Sequence, residues 1–259
     1  MPQTIRIRFS SQVDGGYLIY PTTELEVTAG ISVEYGLVDT VDPTGAPVVL
    51  DAVVEAHKLV IGDAFTPETC SEYLQMQSKH WLGRAFGHKA YFSGFTINGH
   101  YAYDLKSPYV ETRGYKGLSY DKARIKDGDV VGMFAFQDSY GMDYYTYFLR
   151  DEQLVTELNL AVGESIQLEH EGLMFGFGGP MTRKDRKKQR LLSTVADGQL
   201  VTVDPTTGST EPIEGAITDD DGLVNFGFDK PGVYYVSCDG GECKFNSHLA
   251  LPWLTVNVA

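Results

Sequence analysis

Two hydrophobic periods follow each other within the first sixty residues, and they constrain the fold of this chain more than any other feature. In TIRIRFS, apolar Ile5, Ile7 and Phe9 alternate with Arg6 and Arg8, the period of a strand with one buried face. A second strand is expected around Leu18 to Val27. In PTGAPVVLDAVVEAHKLV the period changes: Leu50, Val53, Val54 and His57 fall at i, i+3, i+4 and i+7, which stacks them on one helix face. Pro47 suits the first turn of that helix, where its missing N–H has no partner to lose. A second helix is expected from Thr66, as N-cap before Pro67, to about Gln77.

Strand patterning returns at Tyr91, with turns at Asn98-Gly99 and Asp127-Gly128, dipeptides that tolerate positive φ. Past Arg150-Asp151-Glu152-Gln153 the reading becomes all-β. LNLAVGESIQLEHEG, LLSTVADGQLVTVDP, TDDDGLVNFGFDKPG, VYYVSCDG and LPWLTVNV are short strand candidates separated by Gly, Asp and Pro turns, the spacing of a sandwich. A length of 259 residues accommodates two domains, each with its own core. The division is placed at 1–153 and 154–259, and the expected fold class is α+β followed by an all-β sandwich.

The first half resembles the transcobalamin C-terminal-like β-grasp domain over roughly residues 3 to 150. The family's V-L-D-A-L-like helix segment is matched by Val49-Leu50-Asp51-Ala52-Val53. Its G-W-x-Y-x-V-N-G-like strand is matched by Gly94-Phe95-Thr96-Ile97-Asn98-Gly99, with Phe95 where the family carries Trp. Its L-K-D-G-D-x-V segment before the final strand is matched by Ile125-Lys126-Asp127-Gly128-Asp129-Val130-Val131. The second half resembles a bacterial immunoglobulin-like domain through Thr218-Asp219, Gly222 and Pro231-Gly232-Val233-Tyr234, with residues 171 to 195 departing from that pattern as an inserted loop. Together the resemblances imply a segment of a bacterial cell-surface or secreted protein.

Composition narrows the chemistry. A formal charge of −14 opposes unspecific binding to nucleic acid or an anionic membrane, since both require local positive potential. Six of the 21 basic residues sit in one run, RKDRKKQR from Arg183 to Arg190, read as a solvated loop. No window approaches the roughly eighteen apolar residues of a membrane helix, and MPQTIRIRFSS lacks a secretion-type apolar core. The chain is thus expected to be either an intracellularly made protein such as a virion component or a piece of a longer secreted one.

Catalytic patterns are missing. Neither G-x-S-x-G nor a phosphate-binding G-x-x-x-x-G-K-[ST] occurs, and Phe175-Gly176-Phe177-Gly178-Gly179 lacks the lysine. His80, His88 and His100 have no accompanying metal-binding spacing, and Asp219-Asp220-Asp221 lacks the terminal Glu of a calcium loop. The chain is therefore expected to be no enzyme, with no cofactor and no metal. Cys238 and Cys243, in CDGGEC, are a disulfide candidate closing a hairpin end, and Cys70 is expected on a buried helix face.

Aromatic residues remain as the candidate contacts. The tract DSYGMDYYTYF places tyrosines on both faces of an expected strand, so that one set should stay outside the core. Phe95, Tyr101, Tyr103, Tyr140, Tyr145 and Tyr147 are the candidate partner-binding side chains. The expected function is noncatalytic binding or adhesion to a protein or glycan partner. The alternatives are a virion or filament subunit, with a second copy of the chain as partner, and a small-molecule (cobalamin-like) or glycan module. Asn257, in the last strand, is in addition a candidate for a covalent crosslink to lysine.

Overall fold

A computed structural model describes residues 2–13, 16–78, 81–98, 100–101, 119–136, 144–174, 192–243, 249–250 and 252–259, with backbone alone at positions 11–13, 16–19, 21–22, 91–92, 100–101, 136, 174 and 250. The chain forms two compact units. Among the described residues the first draws on Met1–Phe9 and Thr22–Asp138, the second on Ser10–Pro21, Ser139–Phe177 and Arg183–Ala259.

The first unit opens with the parts of strands β1 (Gln3–Val13) and β2 (Gly16–Val27) that lie outside Ser10–Pro21, followed by the single-turn α1 (Ile31–Glu34) and the three-turn α2 (Val49–Ile61). A second single turn, α3 (Cys70–Tyr73), precedes β3 (Gln75–Ser78), β4 (Trp81–Ala85) and β5 (His88–Lys89), which form a three-stranded sheet. Strands β6 (Tyr91–Ile97), β7 (His100–Tyr101) and β8 (Val130–Phe136) complete a five-stranded sheet of order β2-β1-β8-β6-β7.

Ile5, Ile7 and Phe9 of β1 are buried, as are Leu50, Val53, Val54 and His57 of α2, so both periods read from the sequence mark buried faces. Arg8 is buried as well, along with Thr96 and Phe134, so the middle of the five-stranded sheet is covered on both faces and not on one. The three quoted segments fall on consecutive pieces of this frame. Val49–Val53 opens α2, Gly94–Ile97 lies on β6, and 125–129 leads into β8.

Asp51, the acid of the first segment, explains how α2 is anchored. From the third position of the helix its carboxylate accepts from the Val48 N–H at 3.0 Å, closing the helix N-terminus. It also accepts from Gly30 N–H (3.2 Å), Ser32 N–H (3.0 Å) and Ser32 Oγ (2.6 Å), which ties α1 to α2. Helix α2 thus starts at Val49, and Pro47 lies before its N-cap, where its carbonyl accepts from Ile125 N–H at 3.0 Å.

The helix expected from Thr66 to Gln77 is reduced to the one turn of α3. Thr69 Oγ1 donates to the Ala64 carbonyl (2.6 Å) and accepts from Thr66 N–H (2.9 Å), a local turn that competes with helix. Gln75–Ser78 then pairs with β4 as strand.

The second unit is built of strands. Among its described residues, β10 (Gln153–Val155), β9 (Tyr144–Arg150), β12 (Ser165–Met174) and β13 (Leu192–Thr194) form one sheet, joined by β16 (Leu223–Gly227) on β12 and β18 (Leu249–Ala250) on β9. The other has the order β11 (Glu157–Leu160), β19 (Leu254–Val258), β17 (Gly232–Glu242), β14 (Ala196–Val203), β15 (Thr210–Ile217), in which β11 and β19 are parallel and the other pairs antiparallel. Phe148, Ile166, Leu168, Val224 and Phe226 of the first sheet meet Leu158, Leu200, Val236, Cys238, Leu254 and Val256 of the second in one core. That is the packing of a sandwich, two inner faces interdigitating.

Two expectations are corrected by this architecture. The α+β class does not hold: nineteen strands stand against three short helices and one 3-10 turn among the described residues, and the molecule is predominantly β. The reason lies in length: outside α2, the segments read as helical supply single turns. Strand β9, placed in the first half by the sequence division, is hydrogen-bonded to β12 from Glu169↔Leu149 to Met174↔Tyr144 and so belongs to the second unit. No helix among the described residues is long and apolar enough to cross a membrane.

Candidate contact face

The residues expected to bind a partner are, where described, mostly core. Phe95 is 4% exposed and meets Tyr120 edge to face at 4.8 Å. Tyr120 is fully buried and its hydroxyl donates to the Gly94 carbonyl (3.0 Å) and to Ser93 Oγ (3.2 Å), while Ser93 Oγ accepts from Leu82 N–H (2.7 Å). Burial pushes the Tyr120 phenol far above its ordinary value, which keeps it a neutral donor.

Tyr145 is 7% exposed, so its assignment to an exposed set is corrected: β9 is an interior strand, flanked by β10 and β12. Tyr147 is half-buried, 5.6 Å from Tyr145 between ring centres, and its hydroxyl donates to Glu171 Oε1 at 2.7 Å. Tyr101 lies on the edge strand β7, where only the backbone is described, and Tyr103 and Tyr140 lie outside the described residues. So do His80 and the basic run.

The disulfide candidate is corrected too. CDGGEC does not close a hairpin; it lies on β17, paired with β14 through Leu200↔Cys238, Gly198↔Gly240 and Ala196↔Glu242. Gly240 (φ 68°) and Gly241 (φ 99°) bend the strand without ending it. Cys238 enters the sandwich core and Cys243 a different cluster with Tyr144 and Val195, and both are free thiols. Burial pushes each thiol up to about 12, which leaves them protonated and inert. Cys70 is buried, as expected.

No three His, Cys, Asp or Glu side chains converge in metal-binding geometry among the described residues. The Asp219 turn is held by its own backbone: Asp219 Oδ1 accepts from Asp221 N–H (3.0 Å) and Leu223 N–H (2.8 Å). Gly222 closes it at φ 75°, where a Cβ would stand 2.7 Å from the His170 carbonyl oxygen.

A different surface assembles on the outer face of the sheet β11-β19-β17-β14-β15. Leu158, Leu160, Val236, Leu254, Val256 and Val258 point into the core, so the alternate positions point away from it. Register then lines them up in two rows. Asn159, Asn257 and Val233 form one, through Asn159↔Asn257 and Val233↔Asn257. Glu157, Thr255 and Tyr235 form the other, through Glu157↔Thr255 and Tyr235↔Thr255.

Asn257 Nδ2 donates to Glu157 Oε1 (3.0 Å) and to Asn159 Oδ1 (3.1 Å), fixing the polar side of the face. These are the groups on the amide that the sequence raised as a crosslink candidate. On the apolar side Tyr235 stacks on Trp253 at 5.2 Å, over Val201 and Val203. Ser237 Oγ donates to the Pro252 carbonyl (2.9 Å) and holds the Trp253 segment in place. Val233, at 58%, is among the most exposed large apolar side chains described. The alternation in VYYVS and LTVNV carries this face, but the aromatic density of the Tyr144 tract drew the sequence reading elsewhere.

Two histidines are buried among the described residues, one on the helix face that the sequence period marks and one that no sequence pattern marks. His57 is fully buried on α2; its Nδ1–H donates to the Val53 carbonyl (2.7 Å) and Nε2 accepts from Phe86 N–H (2.8 Å). Its ring stacks on Phe86 at 3.9 Å and an interplanar angle of 1°. Phe86 is held at φ 49°, a strained conformation for a non-glycine residue. Burial lowers the His57 pKa to about 4, which keeps Nε2 free to accept. His170, on the inner face of β12, is the second.

In sequence, the chain matches no protein-family model and no characterised protein.

Proposed function

We propose that the chain is a noncatalytic binding or adhesion segment of a bacterial cell-surface or secreted protein, engaging a protein or glycan partner through the outer face of the sheet that contains β17 and β19. The observation that carries this reading is the alignment of Asn159, Asn257 and Val233 beside Glu157, Thr255 and Tyr235 on a sheet whose other face is already filled by core. Amide and carboxylate groups set beside an aromatic ring are the chemistry of a contact surface: the ring gives area at low entropic cost and the amides give direction. The two-sheet build of the second unit supports the cell-surface assignment. The strongly shifted groups of the described residues, His57, Cys70, Tyr120, Tyr144, His170, Cys238 and Cys243, are core side chains, and such groups mark catalysis when they line a cleft.

The test applies the purified chain to a printed oligosaccharide panel and to a panel of surface-exposed proteins, beside the double variant Val233→Asp, Tyr235→Ala. A partner that binds the parent chain and loses at least tenfold in affinity for the variant supports the reading. Equal binding of both chains removes the face from the account, and no binding on either panel removes the adhesive function.

A further inference from the structure

His170 lies in the inward-facing row of β12 with Ile166 and Leu168, fully buried, its ring centre 5.0 Å from that of Phe148 on β9. Its backbone is well held: the N–H donates to the Gly222 carbonyl (2.7 Å) and the carbonyl accepts from Val195 N–H (3.0 Å). Its side chain is not, because neither Nδ1 nor Nε2 has a hydrogen-bond partner. An imidazole used only to fill core volume carries a desolvation cost that a leucine avoids.

Among the described residues no carboxylate faces the ring, and the inward row of β9 continues from Phe148 to the buried Thr146 and Tyr144. On β12 Glu169 and Glu171 project to the opposite face, as does Tyr147 of β9, whose hydroxyl is bonded to Glu171. Strand β16 presents Val224 and Phe226, and the Asp219 carboxylate, beyond Gly222, is engaged by backbone N–H groups of its exposed turn. Among the described residues the opposing sheet presents aliphatic side chains, the neutral Cys238 thiol and, at the margin of the core, the phenol of Tyr234.

We infer that His170 is an acid-sensitive switch built into the second unit: the neutral ring completes the sandwich core, and because it takes up a proton only when it reaches water, acidification favours the opened core over the closed one. An imidazolium at this position brings a unit charge and two N–H donors into an interior where, among the described residues, neither ring nitrogen is hydrogen-bonded and no carboxylate faces it, a cost relieved when the ring reaches water. Burial alone lowers its pKa, to about 3 from the ordinary 6.5. The folded value lies below the unfolded one, so the stabilisation is complete above about pH 6.5 and is lost as pH falls from there towards 3. Through that window the folding equilibrium constant drops about tenfold per pH unit, which is roughly thirtyfold at pH 5.0.

Trp81 belongs to the first unit and Trp253 to the second, and they are the two tryptophans of the chain, so Trp81→Phe leaves a reporter in the second unit alone. In that background, urea unfolding is followed by Trp253 fluorescence at pH 7.5 and 5.0, with His170 and with His170→Leu. The His170 chain is expected to lose about thirtyfold more in folding constant between the two pH values than the leucine variant. All other titrating groups cancel in that difference. Equal losses overturn the switch. Should the leucine variant not fold, the ring carbon shift of His170 in the unsubstituted chain decides: a ring that stays neutral to pH 5 in the folded protein upholds the switch, and one that titrates near 6.5 overturns it.

Discussion

Among the described residues the two units bury one imidazole each and use it in opposite ways. His57 in the first unit has both ring nitrogens engaged and holds the strained backbone of Phe86; His170 in the second has neither engaged and sits among apolar side chains, the Phe148 ring included. The first unit is fastened by polar groups buried at particular points, Asp51 at the start of α2 and His57 near its end. The second is fastened by continuous apolar contact between two sheets. A polar fastening fails when one partner is removed, because the others are left buried without bonds; an apolar core loses in proportion to the volume removed.

That contrast fixes the order of the expected effects. Asp51→Ala, which strands three backbone N–H groups and the Ser32 hydroxyl, should cost about 4 kcal/mol in urea unfolding of the first unit. His57→Leu, which strands the Phe86 N–H and removes the side-chain bond to the Val53 carbonyl while keeping apolar volume, should cost about 2 kcal/mol by the same measurement. If either is tolerated at below about 1 kcal/mol, the polar account of the first unit is wrong. With its folded pKa near 4, His57 should also make the first unit lose stability as pH falls below about 6.5, at roughly 1.4 kcal/mol per pH unit down to about 4, followed by Trp81 fluorescence.

His170→Leu at pH 7.5 is the counterpart, and a change under about 1 kcal/mol is expected, because no hydrogen bond is lost. A cost equal to that of His57→Leu would erase the contrast. Smallest of all, Val233→Asp on the outer sheet face should alter stability by no more than about 0.5 kcal/mol, read from thermal unfolding of the second unit.

Much of the frame was legible in the residues. The period of Ile5, Ile7 and Phe9 and that of Leu50, Val53, Val54 and His57 are consequences of how side chains leave a strand and a helix, so each buried face could be read directly. What the periods do not carry is which strands neighbour which. Alternation cannot tell an interior strand from an edge, and for that reason Tyr145 was expected on a surface and is core. The same gap concealed the face of Tyr235 and Asn257, which exists only because β11, β19 and β17 lie side by side in register. Spacing was no guide to Cys238 and Cys243 either, since a strand that bends at Gly240 sends the two thiols into separate clusters. Asp51 was read as a letter in a motif, and its role appears only once Gly30 and Ser32 are placed beside it.

The functional account rests on one surface of the second unit being the contact and the other sheet's tyrosines being interior. The most direct measurement is the affinity of a panel-selected partner for three chains: the parent, Val233→Asp with Tyr235→Ala, and Tyr147→Phe. The account predicts a loss of tenfold or more for the double variant, with the second unit still cooperatively folded, and parent-like affinity for Tyr147→Phe. Full affinity in the double variant, or a loss confined to Tyr147→Phe, would contradict it.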